Sequence, residues 1–319
     1  MRIVLIIFSI FVSTLSLKEI RPVIETPSDS GDTDDPAIWI NPKDRAQSLI
    51  IGTIKEPAPA GALAVYSLDG KLVERVDNID RPNNVDIQGD ICVVTERLKR
   101  QLRAYRVFAV KPHLRLLGTA PVFEGEQGER GAPMGIGLYE RPKDKALFAV
   151  LSRKTGPETG YLWQYRLRVS GNTLSVANVR KFGGFSGNGE IEAVAIDDAA
   201  GLVYYSDEDC CVRVYKADPE AADADTEIAR FAESGFRSNR EGIAITGDRI
   251  IVTDQLPDGS EYHVYSRADR RELEVWKGTA ESTDGIEAIG VRLNPKFTNG
   301  LFVVMNSGRH NFQIYGLPR

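Results

Sequence analysis

Apolar and polar residues alternate along most of this chain, and the alternation comes in short runs. Six runs centre on a tyrosine: LAVYSL with Tyr66, LRAYRV with Tyr105, LWQYRL with Tyr165, VRVYKA with Tyr215, YHVYSR with Tyr265 and FQIYGL with Tyr315. Successive tyrosines are 39, 60, 50, 50 and 50 residues apart. A period of two is that of a strand with one buried face. A denser apolar run precedes each tyrosine run, at 48–54, 91–96, 146–152, 202–208, 249–255 and 300–306. A third run comes earlier still, at 34–40, 83–87, 134–139, 190–196, 240–245 and 284–291. Gly, Asn and Asp turns separate the runs, as in AIDDAAGLVYY. Helical periodicity is nearly absent; Ala217 to Phe231 comes nearest and reads as a polar loop.

Six phased triplets, each with a weaker outer strand, predict an all-β chain folded as a six-bladed β-propeller. A β-sandwich would not produce that phasing. Arg2 precedes the uncharged run Ile3 to Leu15, which is too short to span a bilayer comfortably. Thr14 and Ser16 are small residues suited to a cleavage site, so residues 1–16 read as a signal peptide and 17–319 as one propeller domain. The expected location is a periplasm or the medium, with an uncleaved anchor as the lesser option.

Composition narrows the partners. The 319 residues carry 40 basic and 45 acidic side chains, a net charge of −5 that argues against nucleic-acid binding by bulk charge. With 42% apolar and 27% charged residues the chain reads as soluble and globular, and a monomer without a membrane partner after processing is expected. Cys92, Cys210 and Cys211 make neither a disulfide framework nor a Cys-x-x-Cys site. The Cys210-Cys211 pair reads as two strand-end residues rather than as an oxidised pair. His113, His263 and His310 are scattered, which argues against a His-rich metal site.

Candidate chemistry follows from the fold. In a propeller, the loops feeding the inner strands line one mouth of the central channel. Here the inner strands open with Asp34-Asp35-Pro36, Asn83-Asn84, Glu190-Ile191-Glu192, Arg240-Glu241 and Asp284-Gly285. Converging carboxylates repel, and stay ionised where cations neutralise them. Oxygen donors without His or Cys favour Ca²⁺. Lys55, Arg97 and Lys154 follow the middle strands of three consecutive blades and make a basic arc facing Glu192, Glu208, Glu241 and Asp284. Acid-bound metal facing cations suits a polyanionic phosphate substrate. Any one of these residues alone reads as a solvated turn residue; the set carries the inference.

The same residues resemble a known family. Asp34-Asp35-Pro36-Ala37-Ile38-Trp39, Asn83-Asn84-Val85-Asp86, Tyr204-Tyr205-Ser206-Asp207-Glu208, Arg240-Glu241-Gly242-Ile243-Ala244 and Thr283-Asp284-Gly285-Ile286 are similar, in order, to motifs of the β-propeller phytases. Those are calcium-dependent enzymes that release phosphate from phytate, myo-inositol hexakisphosphate. The resemblance runs from about Asp29 to Tyr315. It implies several calcium ions, with Glu192, Glu208, Glu241, Gln255 and Asp284 as active-site ligands and Asp34 close by. It implies a separate structural ion on Asp35 and the carbonyls of Pro36 and Val85. Lys55, Arg97 and Lys154 match phosphate-binding cations, and Asn311 matches a polar contact in the last blade. The implied reaction is direct hydrolysis with no covalent enzyme intermediate. Met134, Asn239, Ser282, Asn306 and Glu56 depart from the family pattern, each removing an anion, a ligand or a phosphate contact. Two alternatives stand beside this reading: a lactonase-like calcium propeller, and a non-catalytic propeller that binds ligands.

Overall fold

The computed structural model describes residues 16–318. They form six sheets arranged as the blades of a propeller. From the axis outwards, blade 1 runs Thr33–Trp39, Leu49–Ile54, Ala62–Ser67 and Leu72–Val76. Blade 2 runs Pro82–Gln88, Ile91–Glu96, Gln101–Val107 and Leu114–Pro121. Blade 3 runs Pro133–Glu140, Leu147–Arg153, Thr159–Ser170 and Thr173–Gly184. Blade 4 runs Val194–Asp197, Leu202–Asp207, Cys211–Lys216 and Ala229–Phe231, so the segment read as a polar loop ends in an outer strand. Blade 5 runs Arg240–Thr246, Arg249–Asp254, Glu261–Ser266 and Glu272–Lys277. Blade 6 runs Ile286–Ile289, Leu301–Asn306 and Asn311–Gly316.

The fourth strand of blade 6 comes from the start of the chain. Ile24–Glu25 pairs antiparallel with Asn311–Gly316 and closes the ring. Ser16–Glu19 adds a fifth, parallel strand to blade 5. The proposed signal segment otherwise lies outside the described residues. Around the closure, Asn311 is buried; its amide donates to the Thr26 carbonyl at 3.1 Å and accepts from Asn306 Nδ2 at 3.0 Å.

The apolar core lies between blades. Six clusters each combine two neighbouring blades, and each contains one repeat tyrosine: Tyr66, Tyr105, Tyr165, Tyr215, Tyr265 or Tyr315. Each tyrosine packs toward the preceding blade, and all six are at most 4% exposed. The register of the tyrosines therefore follows the packing of one blade on the next. Cys92, Cys210 and Cys211 are free thiols.

Candidate active site

The ladders between inner and middle strands break at one end of the channel. Register shifts fall between Thr33 and Pro36, Pro82 and Val85, Pro133 and Ile136, and Arg240 and Ile243. In blades 4 and 6 the inner strand starts late, at Val194 and Ile286, leaving Glu192 and Asp284 just ahead of it. A bulge re-aims side chains and ends pairing. Asp34, Asn83, Met134, Glu192, Glu241 and Asp284 therefore occupy equivalent places around the axis.

The residue after each approaches the next inner strand closely. The Gly242 amide donates to the Asp284 carbonyl at 2.8 Å, and the Gly285 amide to the Asp34 carbonyl at 3.2 Å. A Cβ on Gly242 would lie 2.5 Å from the Asp284 oxygen, and one on Gly285 would lie 2.4 Å from Asp35 Oδ1. Glycine at these two positions lets the ring of acids draw together.

Carboxylate oxygens of Asp34, Glu192 and Asp284 lie within 4.8 Å of one another. Glu241 is 5% exposed, and its Oε2 has no hydrogen-bond partner. Burial pushes the Asp34 and Glu241 acids well above the usual carboxylate range, and neighbouring acids push them further. Burial and Glu192 raise Glu208 to about 7, and burial raises Asp284 to about 6 despite Lys55. An orphaned buried carboxylate oxygen beside crowded acids fits a hard divalent cation held by oxygen donors. Gln255 donates from its amide to Asp284 Oδ1, which places it in the same group.

The basic residues complete the rim. Burial alone would pull Lys55 down, but Asp34, Glu192 and Asp284 hold its ammonium above the ordinary lysine range. Its Nζ donates to Asp34 Oδ1 at 2.5 Å and lies 3.6 Å from Asp284 Oδ2. Arg97 donates to Asn83 Oδ1 at 3.4 Å, and Lys154 pairs with Glu190. The cationic arc of blades 1 to 3 thus meets the acidic arc of blades 4 to 6 at both seams, through Lys55–Asp284 and Lys154–Glu190.

The family model described as Phytase matches residues 12–313. The chain belongs to the phytase family. A curated relative, the 3-phytase of Bacillus subtilis (strain 168), is 27% identical over 306 residues, covering 88% of this chain and 76% of the relative. As a phytase-family protein the chain is a phosphoric monoester hydrolase with phytate as its substrate.

Other expected site residues sit at different depths. Asp35, Pro36 and Val85 line the same channel as Asp34, Glu192, Glu241 and Asp284, and Asp35 Oδ2 accepts from the Val85 amide at 2.9 Å. Burial raises the Asp35 acid well above its usual range. Both ends of the Asn311 amide are engaged at the ring closure, by Asn306 Nδ2 and the Thr26 carbonyl. Asn306 likewise holds a loop, accepting from the Glu281 amide at 3.0 Å. Met134 is fully buried and offers no oxygen. Glu56 accepts from the Asp32 amide at 3.2 Å.

The dipeptides ending the middle strands divide by strand alternation. Glu96, Arg153, Asp207, Asp254 and Asn306 are buried and tie down loops or neighbouring strands, as where Asp207 accepts from Ser186 and Arg213. Two residues were missed as site residues. Asn83 is buried at the centre of the mouth, its Nδ2 3.2 Å from Asp34 Oδ2 and 3.4 Å from Glu192 Oε1. Its repeat position, shared with four acids, was the available signal. Glu190 pairs with Lys154 while its amide donates to Glu208 Oε2 at 2.9 Å, linking a cation to an acid.

Proposed function

We propose that the mouth is a calcium-dependent site that hydrolyses phosphate monoesters of phytate. The observation that carries this reading is the grouping of Asp34, Glu192 and Asp284 with the unpartnered Glu241 oxygen, facing Lys55, Arg97 and Lys154. Asp34, Glu192, Glu208, Glu241, Gln255 and Asp284 would hold calcium, and Asp35 with the carbonyls of Pro36 and Val85 would hold a structural ion. Calcium bound at the mouth supplies Lewis acidity and charge neutralisation for phosphoryl hydrolysis. Lys55, Arg97 and Lys154 bind the oxygens of the reacting phosphate and its neighbours and offset their charge. Asn83 keeps Arg97 in line with Asp34 and Glu192 by hydrogen bonds to all three.

A six-phosphate ring suits a rim with separate cations on three blades, since one phosphate at the acids leaves others near Arg97 and Lys154. The apolar segment ahead of the propeller supports export, and the closed ring supports a monomer that needs no partner chain to complete its blades.

The test is phosphate release from phytate by the purified protein with calcium, with excess chelator, and after calcium is restored. Release that disappears with chelator and returns with calcium is expected. Undiminished release in chelator would overturn the calcium role.

A further inference from the structure

Blade 5 carries a second polar cluster outside the mouth. Asp254 ends the middle strand and stands directly opposite Glu261; His263 lies two residues further along that strand. Asp254 is fully buried and His263 is 3% exposed. The Phe236 ring stacks on the imidazole, with centroids 4.1 Å apart and planes at 19°. His263 Nδ1 lies 2.6 Å from Glu272 Oε1. A neutral imidazole donating there presents its Nε2 lone pair on the opposite side.

That Nε2 is buried without a hydrogen-bond partner. Its nearest carboxylate oxygen, Asp254 Oδ2, is 4.0 Å away, beyond hydrogen-bond reach. Donor atoms of Asp254, Glu261 and His263 lie within 4.8 Å of one another. Ligand bonds of about 2.0–2.2 Å from a shared ion span such gaps after small side-chain adjustments. A metal-bound histidine usually donates its other ring N–H to a carboxylate, as His263 is placed to do toward Glu272.

We propose that Asp254, Glu261 and His263 form a site for a divalent transition metal of the zinc type, separate from the oxygen-only mouth. An imidazole ligand shifts preference from calcium toward zinc, copper, iron or nickel. The remaining contacts leave room for it. Asp254 Oδ1 and Oδ2 accept from the Ser238 and Arg237 amides at 2.8 Å each, and both oxygens keep a lone pair. Glu261 Oε1 accepts from Arg237 Nη2 at 2.8 Å and lies 3.6 Å from Lys277 Nζ, leaving Oε2 for an ion. Arg237 is exposed, so its side chain can swing aside at the entrance. A bound ion would fasten the segment 236–238, which leads into Arg240 and Glu241, to the blade.

Calcium-saturated protein, whose oxygen sites are filled, is titrated with Co²⁺ and followed by visible absorption. One equivalent of Co²⁺ should give d–d bands of a nitrogen-containing, low-coordinate sphere, displaced one for one by Zn²⁺. His263→Gln should abolish the bands. Glu261→Gln, which keeps the side chain's shape, should weaken Co²⁺ at least about ten-fold, and Glu272→Gln by about 10–100-fold. Absent bands in the unaltered protein, bands that persist in His263→Gln, or unchanged Co²⁺ affinity in both Glu261→Gln and Glu272→Gln would overturn the site.

Discussion

The alternation of a strand decides which of two adjacent polar residues does chemistry. In Arg153-Lys154 the arginine is 2% exposed and donates to the Tyr161 and Gly160 carbonyls, while the lysine faces Glu190 at the rim. In the proposed phosphate-binding role Lys154 would be only partly available, because Glu190 would compete with phosphate for its ammonium. Replacing Glu190 by Gln removes the competing charge and keeps the amide that binds Glu208. The KM for phytate is expected to fall several-fold with kcat little changed, because the gain is in binding rather than in the transition state. Steady-state kinetics on phytate and on a small phosphomonoester would check this; an equal change on both substrates would place Lys154 away from the outer phosphates.

Bulges and the ring closure are the elements that make the mouth. Gly285 sits where the sixth inner strand meets the first, and Gly285→Ala would drive a methyl into Asp35 and the Asp34 backbone. A loss of about 1–3 kcal/mol is expected, with weaker calcium binding, since both aspartates must move. Denaturant unfolding and a calcium titration read the two effects. Asn311→Ala would leave Asn306 Nδ2 and the Thr26 carbonyl short of a partner in a buried place, at a cost of about 1–3 kcal/mol. Melting temperature should fall while KM for phytate holds, the reverse of what a phosphate contact would give. Blade count, strand order and most mouth residues were legible in the sequence, because the tyrosine at each blade interface recurs in phase. Three things were not. The outer strand of blade 6 is the two-residue Ile24–Glu25, too short to show a period. A bulge breaks alternation without announcing which of two polar residues turns inward, so the pair Asn83-Asn84 at a strand start does not by itself give Asn83 a role among the acids. Asn311 matched a motif whose side chain, in this fold, turns to the closure.

At the scale of the whole molecule, the mouth sets charge repulsion against folding. Glu208 and Asp284 titrate near 7 and 6, and Asp34 and Glu241 are raised further by burial and by one another. Unfolded, such carboxyls release protons near their ordinary values of about 4 to 4.5. Between about pH 4.5 and 7 the metal-free folded chain binds more protons than the unfolded one, so its stability falls as pH rises. Calcium held by the folded state alone, as proposed, would add stability by mass action, most where the acids are ionised. The gap in melting temperature between calcium and chelator should widen from about pH 5 to about pH 8; a constant gap would separate these acids from the metal. The most direct measurement is the calcium dependence of phytate hydrolysis in Glu241→Gln, beside the unaltered protein. Glutamine keeps the shape and removes one anion from the atom that lacks a partner. Folding should be preserved, with turnover at limiting calcium lower by orders of magnitude and the calcium requirement shifted upward. An unchanged rate and an unchanged calcium curve would contradict the placement of the metal at the propeller mouth.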